Sequence, residues 1–425
     1  MNNKTLYIGC DVSTSENYVC GILSDDSKVF STPFENNIEG AEKMLDVIAN
    51  TMSKYELENI FFAVESTSNY HFHILNFMAS AECFKKYDLT LFQLNANLVN
   101  KFKKIQPKTS KTDKYDAYVI ANRLRFGNLP EPFAAFNEYE SLKRLTRTRF
   151  HIIKSLESEY NYFLSQLYLK FSEYKKLPFS NTFGTTSISL LTDFEVEDLV
   201  QMPEEELIDF LIDKSRDRFT DPEDYAAQIK KLARNCYRVN KRVSDAISTI
   251  LKISLQTIKG LKDALKSINK AIESELEQFD QTLTSIPGIG VIYAACIIAE
   301  IGNPNRFAND GKVAKFAGLT WNQYESGSYS SDETPLNKYG NTYLRYYLIQ
   351  AANSVKNHCP EFQSYYCKKY SEATKHHHKR ALVLTARKML RTLFKLLQSK
   401  VLYDSSKCTF ATGGDLWDFR LWKSL

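Results

Sequence analysis

Asp113 and Asp116 stand three positions apart in the stretch PKTSKTDKYDAYVIANR, Pro107 to Arg123. On a helix that spacing puts both carboxylates on one face. Like charges so placed repel unless a cation lies between them, and a hard divalent ion with oxygen ligands, Mg2+ or Mn2+, suits the pair. Lys101, Lys103, Lys104, Lys108, Lys111 and Lys114 surround it and would suit a phosphate-bearing substrate. An isolated DxxD pair is more simply read as two acids offsetting a helix dipole. The decision therefore rests on what else the chain supplies.

Two further acids stand where the pattern closes a strand. The apolar run Leu6 to Cys10 ends at Asp11, and Asn59 to Val64 runs into Glu65. Between them lie β patterns at Tyr18 to Leu23 and Ser27 to Phe34, then helix spacing at Ile38, Ala41, Met44, Leu45, Ile48 and Met52. After Glu65 come a helix over Tyr70 to Met78, a strand over Leu89 to Leu94 and a short basic helix over Ala96 to Ile105. The order β-β-β-α-β-α-β-α predicts a mixed α/β sheet, and it resembles a ribonuclease-H-like fold of the RuvC type. Ligands gather at strand ends in such sheets. Four carboxylates there could hold a pair of metal ions, which can stabilise both the attacking and the leaving oxygens of a phosphoryl transfer.

A chain of 425 residues predicts more than one domain. The boundaries read as 1–125 for the acid-bearing domain, 126–280 for a helical region, 281–400 for a third domain and 401–425 for a tail. A net charge of +5 permits a nucleic-acid partner without demanding one. The eight cysteines are scattered with no CxxC pair, the pattern of reduced thiols in a cytosolic protein. No apolar run approaches the roughly 18 residues that would span a bilayer.

In the middle region Leu142, Leu145, Ile152, Leu156, Tyr160, Phe163 and Leu167 form one helical stripe, and Ile258, Leu261, Leu265, Ile268, Ile272, Phe279 and Leu283 form another. They predict an antiparallel hairpin carrying a small helical insertion with Pro178, Pro203 and Pro222. The stripes serve an internal core or self-association equally well. Asp193 to Lys214 is acidic and helix-like, and the region offers no chemistry of its own.

Further on, Ser285-Ile286-Pro287-Gly288-Ile289-Gly290 is a tight turn opening a helix, similar to the hairpin of a helix-hairpin-helix. Backbone N–H groups at Gly288 and Gly290 could hold phosphate without reading sequence. Next come FAGLTWNQYESG and then LNKYGNTYLR, carrying Ser326, Lys338 and Arg345. A second basic cluster, including Lys368, Lys369, Lys375, Lys379, Arg380, Arg387, Lys388 and Arg391, interleaves with Tyr365, Tyr366 and Tyr370, rings that could stack on unpaired bases. His376 to His378 match no closed zinc pattern.

Together these segments resemble the insertion-sequence transposases of the IS-one-ten family, to which pilin-gene inverting recombinases are related. The resemblance covers about residues 5–125 and 275–395. It implies a RuvC-like domain whose DEDD acids, Asp11, Glu65, Asp113 and Asp116, bind Mg2+ or Mn2+, and a C-terminal mainly helical domain whose nucleophile is Ser326. It also implies an RNA-guided recombinase: a noncoding bridge RNA pairs with donor and target DNA while a homo-oligomer, a dimer that becomes a tetramer on synapsis, cuts and rejoins strands in the bacterial cytoplasm at the nucleoid. Trp321 stands where the family commonly has proline, and Asp193 to Lys214 reads as an insertion. The alternatives are a RuvC-like junction nuclease using water, and a non-catalytic RNA-binding protein.

Overall fold

Thr5–Val12 (β1) carries apolar side chains on both faces, so both faces need cover. Leu6, Ile8 and Cys10 are buried with α1 (Ile38–Lys54) and α2 (His71–Ser80), whereas Gly9 presses against α4 (Asp113–Phe126). The computed structural model describes residues 4–66, 69–105, 112–216, 219–321, 325–326, 329–330, 335–337 and 339–405, with backbone alone at 325–326 and 329–330. It divides into two compact units, Met1–Glu138 and Tyr139–Leu425.

The first unit is a five-stranded mixed sheet in the order β3-β2-β1-β4-β5, with β2 (Glu16–Ile22), β3 (Lys28–Glu35), β4 (Asn59–Glu65) and β5 (Asp88–Leu94). β2 runs antiparallel to β1 and β3, while β1, β4 and β5 are parallel. The element order expected from the sequence is present, closing with α3 (Ala96–Ile105) and α4. Thr112 caps α4, its Oγ1 accepting from the Tyr115 N–H at 3.3 Å.

In the second unit α5 (Glu140–Lys170) pairs with α10 (Lys241–Leu276). Arg149 donates to Asn269 at 2.8 Å and Ser254 to Glu159 at 2.5 Å, so the helices run antiparallel. At one end they join a core with α6 (Thr185–Asp193), α7 (Val196–Gln201), α8 (Glu204–Ser215) and α9 (Pro222–Asn235). At the other they join the C-terminal core. Between, no described residue of either helix is fully buried from 147 to 162 or from 259 to 271.

The second helix differs from the expected span. It begins at Lys241 and ends at Leu276. Leu283 keeps the periodicity only because a 3-10 turn buries it in the neighbouring core.

That core surrounds α11 (Val291–Ile301), which is buried on every side from Ala294 onward. It includes α12 (Asp310–Ala317), α13 (Thr342–His358), α14 (Pro360–Ser371) and α15 (His377–Ser399). Thr320–Trp321 (β6), Glu325–Ser326 (β7), Tyr329–Ser330 (β8) and Leu336–Asn337 (β9) lie between α12 and α13. No described helix is long and apolar enough to cross a membrane.

Candidate metal centre

Asp11 and Glu65 are neighbours by construction. Their strands are parallel with Cys10 opposite Val64, so both acids leave the sheet at the same edge, the C-terminal ends of β1 and β4. α4 crosses behind β1 at very close range: a Cβ on Gly9 would stand 2.1 Å from the Ala117 carbonyl oxygen and 2.3 Å from the Ala121 nitrogen. Only glycine allows that approach, and it carries Asp116 toward the two strand-end acids.

The electrostatics report the convergence. Burial raises the Glu65 carboxyl above its ordinary range, and the negative charges of Asp11 and then Asp116 push it further, against the opposing pull of Lys103. Lys103 forms an ion pair with Asp116, both side chains being largely buried at 26% and 21% exposure. Its ammonium also lies 5.5 Å from the Tyr115 ring centre.

Asp11 and Asp116 thus both lie near enough for their charge to act on Glu65. Asp113, at the first position of α4, is exposed and is not among the charges that act on Glu65. Among the described residues no group of three His, Cys, Asp or Glu side chains is placed to hold a metal ion. The donors fit a hard cation in kind, since all are carboxylate oxygens whose mutual repulsion a positive charge relieves. Lys103 supplies that charge to Asp116. Lys103 is therefore half-buried beside the acids, while Lys101, Lys104 and Lys114 are exposed. Lys108 and Lys111 lie outside the described residues.

Ser326 stands in β7, opposite Tyr329 of β8. The base of its loop is clasped by Thr320 opposite Asn337 and Trp321 opposite Leu336. Gly318 caps α12 in the left-handed region at φ 68°, and Gly340 lies against it so closely that a Cβ there would meet the Gly318 nitrogen at 2.6 Å. Arg345 holds this corner, donating to the Ala317 carbonyl at 3.2 Å and to Thr342 Oγ1 at 3.3 Å. The geometry gives Arg345 a positioning task at the loop base. Lys338 lies outside the described residues.

Several other expected contacts are occupied by structure. Gly288, at φ +95°, packs on α13, where a Cβ would meet the Val355 Cα at 2.8 Å; the glycine there answers a packing need. Gly290 is exposed at the start of α11. Arg387 pairs with Asp310 at 2.9 Å, and Lys388 with Glu361 at 2.8 Å. Tyr366 is buried, its hydroxyl 2.7 Å from His378 Nδ1. Lys368, Lys375, Lys379 and Arg380 are exposed, with no ion pair among the described residues.

One constellation escaped the sequence reading. Glu300 is fully buried and receives Arg147 in two hydrogen bonds, 2.7 and 2.9 Å, and the Asn341 amide at 2.6 Å. Asn341 also caps α13, accepting from the Leu344 N–H at 3.0 Å. The signal was a single acid in the otherwise apolar run VIYAACIIAEI.

The sheet and its strand-end acids lie within residues 8–172, which match a transposase profile, that of the IS110 DEDD transposases. Residues 280–367 match the profile of the transposase IS116/IS110/IS902 family. The chain belongs to the IS110 family of insertion-sequence transposases. It is similar to the uncharacterized 43.6 kDa protein of insertion element IS110 from Streptomyces coelicolor, 29% identical over 38% of this chain and 39% of that one. It also resembles the transposase for insertion sequence element IS1111A from Coxiella burnetii, 30% identical over 28% of this chain and 31% of the relative. The uncharacterized 44.8 kDa protein of element IS116 from Streptomyces clavuligerus matches at 21% over 94% of this chain and 96% of its own length. The first two matches thus span well under half of either relative.

Proposed function

We propose that this protein is the DNA transposase of an insertion sequence, a recombinase that cuts and rejoins strands through Ser326 with a metal-assisted acid centre. The observation that carries the reading is that Asp11 and Glu65 leave neighbouring strand ends of a mixed sheet and that the charges of Asp11 and of Asp116 on α4 both raise Glu65. The strand order β3-β2-β1-β4-β5 supports the ribonuclease-H-like, RuvC-type reading of that sheet.

Asp11, Glu65 and Asp116, joined by Asp113, would hold Mg2+ or Mn2+, which there would polarise a phosphate and neutralise charge developing on it. Ser326 Oγ attacks phosphorus as its proton passes to solvent, and a sugar oxygen leaves, taking up a proton, as the strand breaks. The product is a phosphoserine ester, which conserves the energy of the phosphodiester. A hydroxyl from another strand then attacks the ester, restoring serine and joining the new strand. Lys101, Lys104 and Lys114 beside the acids, and Lys368, Lys375, Lys379 and Arg380 on the C-terminal helices, offer exposed cations to nucleic-acid backbones.

Sequence choice rests with a noncoding bridge RNA paired to donor and target DNA, a reading supported by the motif resemblance. The active form is a homo-oligomer, a dimer that becomes a tetramer when donor and target are brought together. In cells, Asp11→Asn should abolish strand exchange, and a structured RNA from the DNA flanking the gene should copurify with the protein. Retained exchange in Asp11→Asn contradicts the metal-assisted reading, and purification free of any such RNA contradicts the guided one.

A further inference from the structure

The helical insertion between α5 and α10 holds a half-open cavity of about 440 Å3. Its wall combines Phe179, Phe219 and Tyr225 with Lys214, Arg216 and Ser187. The aromatic rings form one cluster: Phe219 and Tyr225 stack at 4.5 Å with planes 29° apart, and Phe179 lies 6.1 Å from Phe219. All three are half-buried rather than sealed in the core. The volume falls in the range of roughly 300–1,000 Å3 usual for small-molecule sites.

The polar side of the wall is the start of α6. Gly184 precedes the helix with no side-chain cap, so the first-turn N–H groups of Thr185, Thr186 and Ser187 are left for an outside acceptor. Ser187 is 1% exposed, and its Oγ has no hydrogen-bond partner among the described residues. A buried hydroxyl left unsatisfied is unfavourable unless something fills the role of partner. In the same wall Lys214 forms an ion pair with Asp213 at 3.0 Å, while Arg216 is exposed and holds a left-handed backbone at φ 55°.

Uncapped N–H donors, an orphaned hydroxyl and two cations line the same cavity as a cluster of aromatic rings, and together they suit a ligand that carries both an anionic group and a flat aromatic one. We propose that this cavity binds a nucleotide unit, with phosphate at the start of α6 and base against the Phe179, Phe219 and Tyr225 rings. Stacking of this kind tolerates any base. The site shares no residue with the acids or with Ser326, and it assigns a task to an insertion whose sequence displays none.

Calorimetry on the full-length protein tests the site with AMP, adenosine and inorganic phosphate. AMP binds at one site per chain, and adenosine and phosphate each bind at least roughly tenfold more weakly, because each keeps only half of the contacts. Ser187→Ala and Arg216→Asn, the latter chosen because asparagine accepts a left-handed backbone, each weaken AMP roughly tenfold. Ser187→Ala keeps the wild-type unfolding temperature or raises it, which separates lost binding from lost folding. Asp11→Asn binds AMP as the wild type does. A short single-stranded oligonucleotide that displaces AMP identifies the occupant as one unit of a strand; an oligonucleotide that does not identifies a free nucleotide. Absence of saturable AMP binding, or AMP binding unchanged by both cavity variants, overturns the assignment.

Discussion

Gly9 and Ala117 touch backbone to backbone: a methyl on Gly9 would lie 2.1 Å from the Ala117 carbonyl oxygen. This contact sets the distance of α4 from β1, and hence of Asp116 from Asp11 and Glu65. In Gly9→Ala the helix must retreat, since backbone cannot rotate away as a side chain can. Overpacking of this kind costs about 1–3 kcal/mol. A lowered urea midpoint together with weakened Mn2+ binding is expected; a wild-type midpoint and affinity would show that the close approach is not required.

Lys103 gives Asp116 a cation of its own. A metal ion claiming Asp116 must displace it. Lys103→Ala therefore tightens Mn2+ binding several-fold, whereas Asp116→Asn weakens it, as read by calorimetry on the full-length protein. Weakened binding in Lys103→Ala would instead mean that the lysine organises the acids for the ion.

Glu300 joins α5, α11 and the start of α13 through Arg147 and Asn341. Glu300→Ala leaves the Asn341 amide and the Arg147 guanidinium without their acceptor; since Arg147 is 40% exposed and can turn to solvent, the loss should be about 1–3 kcal/mol. Glu300→Gln keeps the shape and one acceptor and should lose less. Chemical denaturation of the two variants decides the order; equal stability of Glu300→Ala and wild type would remove Glu300 from the frame of the unit.

Asp310 joins α12 to α15. Burial raises its carboxyl, but the hydrogen bond and charge of Arg387, with the charge of Arg391, outweigh that and hold it below its ordinary value of 3.8. A carboxyl lowered in the folded state stabilises above its unfolded value and loses that contribution as pH falls through the folded one. The advantage of wild type over Asp310→Asn should thus be full at neutral pH and vanish in acid below 3.8. Urea midpoints across that range read it, and a gap that widened on acidification would reverse the assignment.

The front sheet was legible because its strands are short apolar runs closed by turn residues, and because Asp11 and Glu65 interrupt those runs at their ends. The start of α10 was not legible, since Ser254 sits in the apolar stripe, 2% exposed and satisfied by Glu159. A polar residue paired across helices breaks the periodicity that marks a helix face. Arg345, Arg387 and Tyr366 read as surface groups from composition, yet their partners Ala317, Asp310 and His378 are 28, 77 and 12 positions away. Pairing at such separations leaves no local pattern.

Ser326 is the proposed attacking group. A nicked suicide DNA substrate, offered with the guide RNA and Mg2+, should trap one covalent adduct whose peptide maps to Ser326, absent in both Ser326→Ala and Asp11→Asn. A Ser326→Ala protein that still exchanges strands would contradict it.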